Sequence, residues 1–294
     1  MSKSRRLAPS FILILFLYAA AFAIGYLAYW LCTAYGSMHP LIATFIADVV
    51  ATLIVWLAGI LFKNSSLYDP YWSVLPPFAF LLWIFLFDPG FSLVSILLLA
   101  GIGFWAIRLT TNWAIRWRGM QYQDWRYTMM HESKPKLWFL SNLFGINLIP
   151  TCFVFGGMIP AYYAISQHAS APGALTYIGL AICIGAAVLQ LISDIQMELF
   201  KKRAEKGQNI DEGLWRYSRH PNYFGEVSLW WGVWLMQMGV VPELWYTVAG
   251  PVAMTLLFTC ISIPMMEKRL LASRPAYAGY KKKVSMLVPW FRTK

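Results

Sequence analysis

The sequence predicts an all-α, polytopic membrane protein with about seven to eight transmembrane helices. Of its 294 residues, 59% are hydrophobic and only 13% are charged, a composition that is not typical of a soluble globular domain. The apolar residues form runs long enough to cross a hydrocarbon core of about 30 Å. The Lys and Arg residues lie between alternate runs, which is typical of cytoplasmic loops. We therefore expect a single membrane domain over residues 1–294.

The apolar runs define the expected helices in chain order. The first run, Phe11 to Cys32, follows Lys3, Arg5 and Arg6 and is longer than the core of a signal peptide, so it predicts an anchored first helix. The other runs cover residues 41–62, 74–87, 92–110, 138–165, 174–200, 226–241 and 244–265. The third run, residues 74–87, is the shortest, so its crossing of the membrane has the least support.

The placement of charge predicts the orientation of the chain. The loops at about residues 33–40, 88–91, 166–173 and 239–243 contain no Lys or Arg. Every Lys and Arg then lies on the opposite side, so both termini are expected in the cytoplasm. The net charge of +11 follows mostly from this topology, and we expect no nucleic-acid partner.

The cysteines give no sign of a metal site. All four lie inside apolar runs and form no close-spaced pair, so neither metal ligation nor a disulfide framework is predicted. We expect them to be packing residues. Candidate functional residues are therefore sought among the polar side chains near the membrane surface.

The stretch GLWRYSRHPNYFGE, Gly213 to Glu226, is the most polar segment between two apolar runs. Pro221 suits the first turn of a helix, where its missing N–H would have no partner anyway. Arg219 and His220 then lie beside a helix N-terminus, which favours an anion such as phosphate. The alternative is a juxtamembrane loop whose cations only set topology.

Two other sets of polar residues lie inside apolar runs. Asp48 lies in the middle of the second run, where we expect it to be protonated, paired or facing a polar cavity. Gln190, Asp194, Glu198 and Lys201 follow helical spacing at the end of the 174–200 run and share one face. This face is expected to line a cavity, although an ion-paired helix end also explains its last two members.

The segment NSSLYDPYW places a tyrosine beside a carboxylate at the cytoplasmic end of the second run. Tyr68 next to Asp69 can serve as a proton donor whose acidity and orientation are set by its neighbour. The alternative is an aromatic belt followed by an Asp-Pro turn, which is common at membrane interfaces.

Several motifs together resemble the steroid 5-alpha-reductase superfamily, and more narrowly its bacterial membrane branch of unknown function. The resemblance extends from about residue 40 to the C-terminus, and RHP-x-Y taken alone is also found in isoprenylcysteine and phospholipid methyltransferases. The motifs are SRHPNYFGE, SDIQMELFKK, NSSLYDPYW, QYQDWRY and EKRLLASRPAYAGYKKKVSMLVPWF.

The resemblance implies a reductase in a bacterial inner membrane. Residues 174–294 would hold NADPH at the cytoplasmic side, and the reaction would reduce a carbon–carbon double bond of a lipid such as a steroid or another isoprenoid. The Gln-Glu pair of the steroid reductases is missing here, and Tyr68 with Asp69 is the nearest substitute, which indicates a different substrate.

The resemblance also implies the residues that would hold the cofactor. Asn222 and Glu226 match the Asn-x-x-Gly-Glu motif, and Asp194 matches the aspartate on the preceding helix. Lys201 stands where the reductases tend to have an arginine, which keeps the charge but loses the bidentate fork. Apart from the resemblance, Arg216, Arg219 and His220 are the predicted phosphate contacts, because charge-assisted hydrogen bonds suit that role. We expect Asn222 and Tyr223 to hold the uncharged part of the nucleotide.

Two other classes of function remain open. A methyltransferase using S-adenosylmethionine would share the RHP-x-Y core, and Glu267 resembles the glutamate before the last helix of those enzymes. The extension from Asn222 to Glu226 favours the reductases. A non-catalytic lipid-binding protein would instead place polar groups at mid-depth on several segments.

Overall fold

The computed structural model describes residues 3–167, 171–205 and 207–292, and most of these residues are helical. Short 3-10 turns and π-helical turns continue or connect the longer helices. The α-helices are α1 (Lys3–Ala34), α2 (Pro40–Leu61), α3 (Tyr71–Phe87), α4 (Leu93–Arg116), α5 (Trp125–Ser133), α6 (Trp138–Leu140), α7 (Ile149–Ser166), α8 (Ala174–Arg203), α9 (Pro221–Met238), α10 (Ala249–Leu256), α11 (Ile263–Ser273) and α12 (Tyr277–Lys283).

Among the described residues, seven helical segments are long and apolar enough to cross a membrane, which confirms a polytopic all-α membrane protein. The third segment, expected to be short, extends over 23 residues. The run at 226–241 forms α9, whose polar residues Asn222, Glu226 and Gln237 keep it outside this set. The seven segments are Leu7–Ala34, Pro40–Leu61, Ser65–Phe87, Leu93–Arg116, Pro135–Ser166, Ala174–Arg203 and Pro242–Ser273.

The chain divides into two compact units. The first unit comprises Met1–Leu82 and Leu109–Phe155, and the second comprises Trp83–Arg108 and Gly156–Lys294. Each unit has its own buried polar residues as well as an apolar core. The two units are therefore described separately.

In the first unit, α1 packs closely against α2. A Cβ atom at Gly25 would lie 2.9 Å from the carbonyl oxygen of Ala47, so glycine is needed at this approach. The hydroxyl of Tyr18 donates to the carbonyl of Leu67 at 2.8 Å and joins α1 to the turn before α3. Small residues and one buried hydroxyl thus fix three elements of this unit.

The loop before α5 is tied to the same turn by hydrogen bonds. Asn64, which is buried, donates its Nδ2 to the carbonyls of Met120 at 2.7 Å and Tyr122 at 3.0 Å. The backbone N–H of Ser65 donates to Gln123 Oε1 at 2.9 Å. These bonds satisfy backbone groups of an irregular loop, which would be costly to bury unpaired.

In the second unit, α8 and α9 pack against each other along their lengths. A Cβ atom at Gly179 would lie 2.5 Å from the carbonyl oxygen of Gly232, and one at Gly225 would lie 2.8 Å from that of Ala186. Glycines at these positions let the two backbones approach closely, as small residues do in membrane helix pairs. The pair forms the scaffold on which the polar groups of this unit are held.

Candidate functional site

A buried cluster around Glu267 joins the beginning of α9 to α11 and α12. Glu267 Oε1 accepts from Arg219 Nε at 2.6 Å and lies 3.2 Å from His220 Nε2. Its Oε2 lies 2.8 Å from Lys281 Nζ. Arg219 and His220, predicted as phosphate contacts, therefore lie together and share one carboxylate.

Tyr277 completes the set of donors to Glu267. Its hydroxyl donates to Glu267 Oε1 at 3.2 Å. Burial raises the pKa of Tyr277 above its ordinary value, and the nearby Glu267 carboxylate raises it further, while Arg219 opposes the shift. The hydroxyl consequently stays protonated at neutral pH and serves as a neutral donor inside a charged cluster.

The first turn of α9 lies next to this cluster. Pro221 occupies the first helical position as expected, and His220 precedes the helix without capping it through its side chain. The ring of His220 stacks on that of Tyr223, with centroids 5.4 Å apart and planes 10° apart. Asn222 and Tyr223 are partly exposed, so both remain accessible to a ligand.

Glu226 is buried in the same unit, and its carboxylate accepts hydrogen bonds from side chains inside that unit. Its Oε2 accepts from Trp105 Nε1 at 2.9 Å and from Gln190 Nε2 at 3.0 Å, and its Oε1 accepts from Trp230 Nε1 at 3.2 Å. Three neutral donors satisfy most of the acceptor capacity of a carboxylate. Glu226 thus holds α4, α8 and α9 together from the inside.

Arg108 connects this network to Asp194. Its NH2 donates to Gln190 Oε1, and its NH1 lies 3.1 Å from Asp194 Oδ2. Arg108 is buried and Asp194 is half-buried. The polar stripe predicted on α8 therefore faces protein at Gln190 and Asp194, while Glu198 and Lys201 are exposed.

Arg216 is exposed beside an open cavity of about 490 Å³. The guanidinium of Arg292 donates through Nε to the carbonyl of Arg216 at 3.2 Å. Tyr280, another residue of the cavity wall, donates its hydroxyl to the carbonyl of Trp215. The cavity is lined by Gln208, Asn209, Asp211, Ala276, Gly279, Tyr280, Lys283 and Arg292.

Tyr68 and Asp69 belong to the first unit, and each has a different partner there. The hydroxyl of Tyr68 lies 2.7 Å from Thr151 Oγ1, which lies 2.8 Å from Thr52 Oγ1. Asp69 Oδ1 accepts from the hydroxyl of Tyr127. Thr151 thus orients the hydroxyl of Tyr68. Asp69, the neighbour of Tyr68 in sequence, instead accepts from Tyr127.

Asp48 is buried at mid-helix in the first unit, as its sequence position indicated. Its Oδ1 accepts from the hydroxyl of Tyr71 at 2.8 Å. Among the described residues, its Oδ2 has no hydrogen-bond partner. Of the three possibilities raised by the sequence, pairing is therefore the one found for Oδ1.

Trp105, Arg108 and Lys281 were not predicted as site residues. Trp105 is 121 residues from Glu226 in the chain, and Arg108 is 86 residues from Asp194. Nothing in a single sequence pairs residues so far apart. The sequence indicated only that a carboxylate in an apolar helix needs hydrogen-bond donors nearby.

Comparisons with known proteins show the family. The family model described as "Protein of unknown function (DUF1295)" matches residues 55–284, and the chain belongs to this family. The chain is also 24% identical over 286 residues to "Uncharacterized protein C594.04c" of Schizosaccharomyces pombe, with 87% of this chain and 81% of the relative covered. No solved structure matches the chain.

Proposed function

We propose that this protein is a membrane-embedded reductase that uses NADPH to reduce a carbon–carbon double bond in a lipid of the steroid or isoprenoid kind. The proposal joins the resemblance of its motifs to the steroid 5-alpha-reductases with the chemistry of the second unit. NADPH, when bound, supplies the hydride for such a reduction. The residues of the chain bind it, orient it and manage protons.

The observation that carries the proposal is the excess of positive charge at the beginning of α9. Glu267 is a single carboxylate that faces both Arg219 and Lys281, and Arg216 is exposed nearby in the chain. Charge-assisted hydrogen bonds from such cations suit phosphate oxygens. S-adenosylmethionine bears a positive sulfonium and no phosphate, so this charge favours the dinucleotide.

Asn222 and Tyr223 would hold the uncharged part of the nucleotide. Both are partly exposed on the first turn of α9, where the helix dipole also favours an anion. The amide of Asn222 has donors and an acceptor and can satisfy a polar edge that a charged residue cannot. The cavity of about 490 Å³ is lined by other residues and is not part of this contact.

Glu226 and Asp194 would act through other residues. Glu226 accepts from Trp105, Gln190 and Trp230, so its role in the proposal is to hold α9 in position. Asp194 lies against Arg108 and would keep that cation in place. Lys201, exposed at the end of α8, remains a candidate contact to a phosphate.

In the first unit, Tyr68 is the proposed proton donor. Its hydroxyl is buried and bonded to Thr151, which fixes its direction. Asp69 accepts from Tyr127 and would position that tyrosine. The substrate would be recognised as an apolar molecule with a polar group, since the hydroxyls of Tyr68 and Tyr127 are buried.

Ligand titration in detergent tests the proposal. Wild-type protein, Asn222→Ala and the matched control Gln167→Ala, at an exposed amide just after α7, are titrated with NADPH, NADH and S-adenosylmethionine, with tryptophan fluorescence as the signal. Loss of the Asn222 contact is expected to weaken NADPH binding by about five- to a hundredfold, since an unpaired buried group costs about 1–3 kcal/mol. Gln167→Ala should bind like the wild type.

Three results would overturn the proposal or a part of it. Tight binding of S-adenosylmethionine with none of NADPH would favour the methyltransferase. Equal NADPH affinity in Asn222→Ala and the wild type would remove the role given to Asn222. A protein that binds neither cofactor would favour the non-catalytic lipid-binding class.

A further inference from the structure

The C-terminal segment 284–292 is irregular and lies along the residues that precede α9, with bends at residues 284 and 286–288 and an isolated parallel bridge between Ser218 and Ser285. The backbone N–H of Arg219 donates to the carbonyl of Ser285 at 2.9 Å, and that of Trp290 donates to Tyr217 at 2.9 Å. Ser218 Oγ donates to the carbonyl of Leu287 at 2.7 Å. The segment is thus fixed to the second unit along one of its sides.

The side chains of this segment differ in exposure. Val284 and Leu287 are buried. Four other residues are apolar or aromatic and are exposed. Met286 is 36% exposed, Val288 55%, Trp290 68% and Phe291 78%.

Positive charge is concentrated near these apolar residues in the sequence. From Lys268 to Arg292, every charged residue is a Lys or an Arg. Lys281, Lys282 and Lys283 at the end of α12 are all exposed. Apolar and aromatic residues beside a cluster of lysines form the pattern by which peripheral segments bind anionic bilayers.

The position of the segment in the chain brings it to the membrane surface. The span Pro242–Ser273 ends eleven residues before Val284, and α12 occupies most of the connection. Trp side chains near the end of a span prefer the boundary between headgroups and acyl chains, and Phe is common on the apolar face of interfacial segments. A bilayer is therefore the occupant that both the charge and the chain path favour.

We propose that residues 284–292 are an interfacial anchor, which inserts Val288, Trp290 and Phe291 into the headgroup boundary of a bilayer while Lys282 and Lys283 contact anionic lipid headgroups. The same segment is hydrogen-bonded to residues 217–219. The anchor therefore fixes the loop that precedes α9 with respect to the membrane surface. This inference does not depend on which cofactor the protein uses.

Depth measurement by spin labelling tests the anchor in the full chain. A keto amino acid is introduced at position 288 or, as the control, at the exposed residue Gln208, and each is coupled to a nitroxide. The protein is reconstituted into phosphatidylcholine vesicles with and without phosphatidylglycerol. We expect the ratio of collisions with oxygen to collisions with a water-soluble nickel complex to be several-fold higher at 288 than at 208.

The charge part of the proposal is tested in the same samples. The double variant Lys282→Gln/Lys283→Gln should reduce the extra depth that phosphatidylglycerol gives to the label at 288. The matched double variant Lys134→Gln/Lys136→Gln in the first unit should leave it unchanged. Equal sensitivity of both variants would overturn the lipid-headgroup contact.

Two other outcomes would overturn the anchor itself. A label at 288 that collides with the nickel complex as often as the label at 208 would place the segment in water. A label shielded from both oxygen and nickel would mean that protein covers the segment, either a second copy or another partner.

Discussion

Arg219 Nε donates to Glu267 Oε1 at 2.6 Å, joining the first residue of the RHP motif to α11 across 48 positions of the chain. Both side chains are less than 10% exposed. The guanidinium makes two further bonds, since NH1 donates to the carbonyls of Lys281 and Val284 at 2.8 and 2.6 Å. This single cation thus holds the beginning of α9, α11 and the C-terminal segment in one arrangement.

The first prediction follows from breaking this pair. Glu267→Gln removes the charge that compensates Arg219 and Lys281, and an uncompensated buried charge costs about 3–5 kcal/mol. We expect a large fall in the melting temperature of the detergent-solubilised protein, followed by tryptophan fluorescence.

The matched control is Glu243→Gln at an exposed carboxylate in the turn before α10. It should melt like the wild type. If Glu267→Gln and Glu243→Gln melt at the same temperature, the pair contributes no stability.

The transmembrane fold could be predicted because the length of an apolar run and the placement of charge are local properties. Seven of the expected runs appear as spans. The run at 226–241 shows the limit of this approach. Its helix begins earlier, at Pro221. The donors that accommodate its Glu226 come from Trp105, Gln190 and Trp230, and hydropathy alone does not show them.

The candidate site was predictable only in part. Arg219, His220, Asn222 and Tyr223 are close in sequence and form one turn in the structure, so their proximity could be inferred. The partner of Arg219 could not, because the separation between it and Glu267 is set by the packing of α11. Long-range pairs of this kind need tertiary structure.

The second prediction concerns the contact between α8 and α9. Gly179→Leu places a side chain where a Cβ atom alone would lie 2.5 Å from the carbonyl oxygen of Gly232. Overpacking of this kind costs about 1–3 kcal/mol or more. We expect a lower melting temperature and a loss of monodisperse protein in detergent.

Gly185→Leu on the same helix is the matched control. A Cβ atom at Gly185 meets no heavy atom within 4 Å, so the added side chain should be accommodated. If both variants melt alike, the close approach at Gly179 does not limit stability.

The third prediction concerns the loop before α5. Asn64→Ala removes the two hydrogen bonds to Met120 and Tyr122 and the acceptor for the backbone N–H of Ser66. Each lost partner costs about 1–3 kcal/mol when the remaining group stays buried. Hydrogen exchange followed by mass spectrometry should show faster exchange in residues 120–127.

Ser133→Ala, at an exposed residue at the end of α5, is the control and should leave the exchange of this loop unchanged. Exchange at the wild-type rate in Asn64→Ala would mean that the loop is held by its other contacts.

The fourth prediction is that α9 crosses the membrane, although it is less apolar than the seven spans. The backbone N–H of Gly173, just before α8, donates to the carbonyl of Gly239, just after α9, at 2.9 Å. The end of α9 therefore lies at the membrane face where α8 begins. With 18 residues at about 1.5 Å each, α9 spans about 27 Å, which is close to the thickness of the hydrocarbon core.

Eight crossings would place both termini on one side, in agreement with the positions of the Lys and Arg residues, and that side is expected to be the cytoplasm.

Single cysteines at the exposed residues Gln208 and Glu243 flank α9 and should lie on opposite sides of the membrane. A membrane-impermeant maleimide applied to intact cells is expected to label position 243, and position 208 only after permeabilisation, with the parent chain as the blank. Reporter fusions at Ser37 and Gly90 should give the same side as position 243, whereas Ser170, in the same predicted class of loops, lies outside the described residues. Labelling of 208 and 243 from the same side would show that α9 does not cross, and the termini would then lie on opposite sides of the membrane.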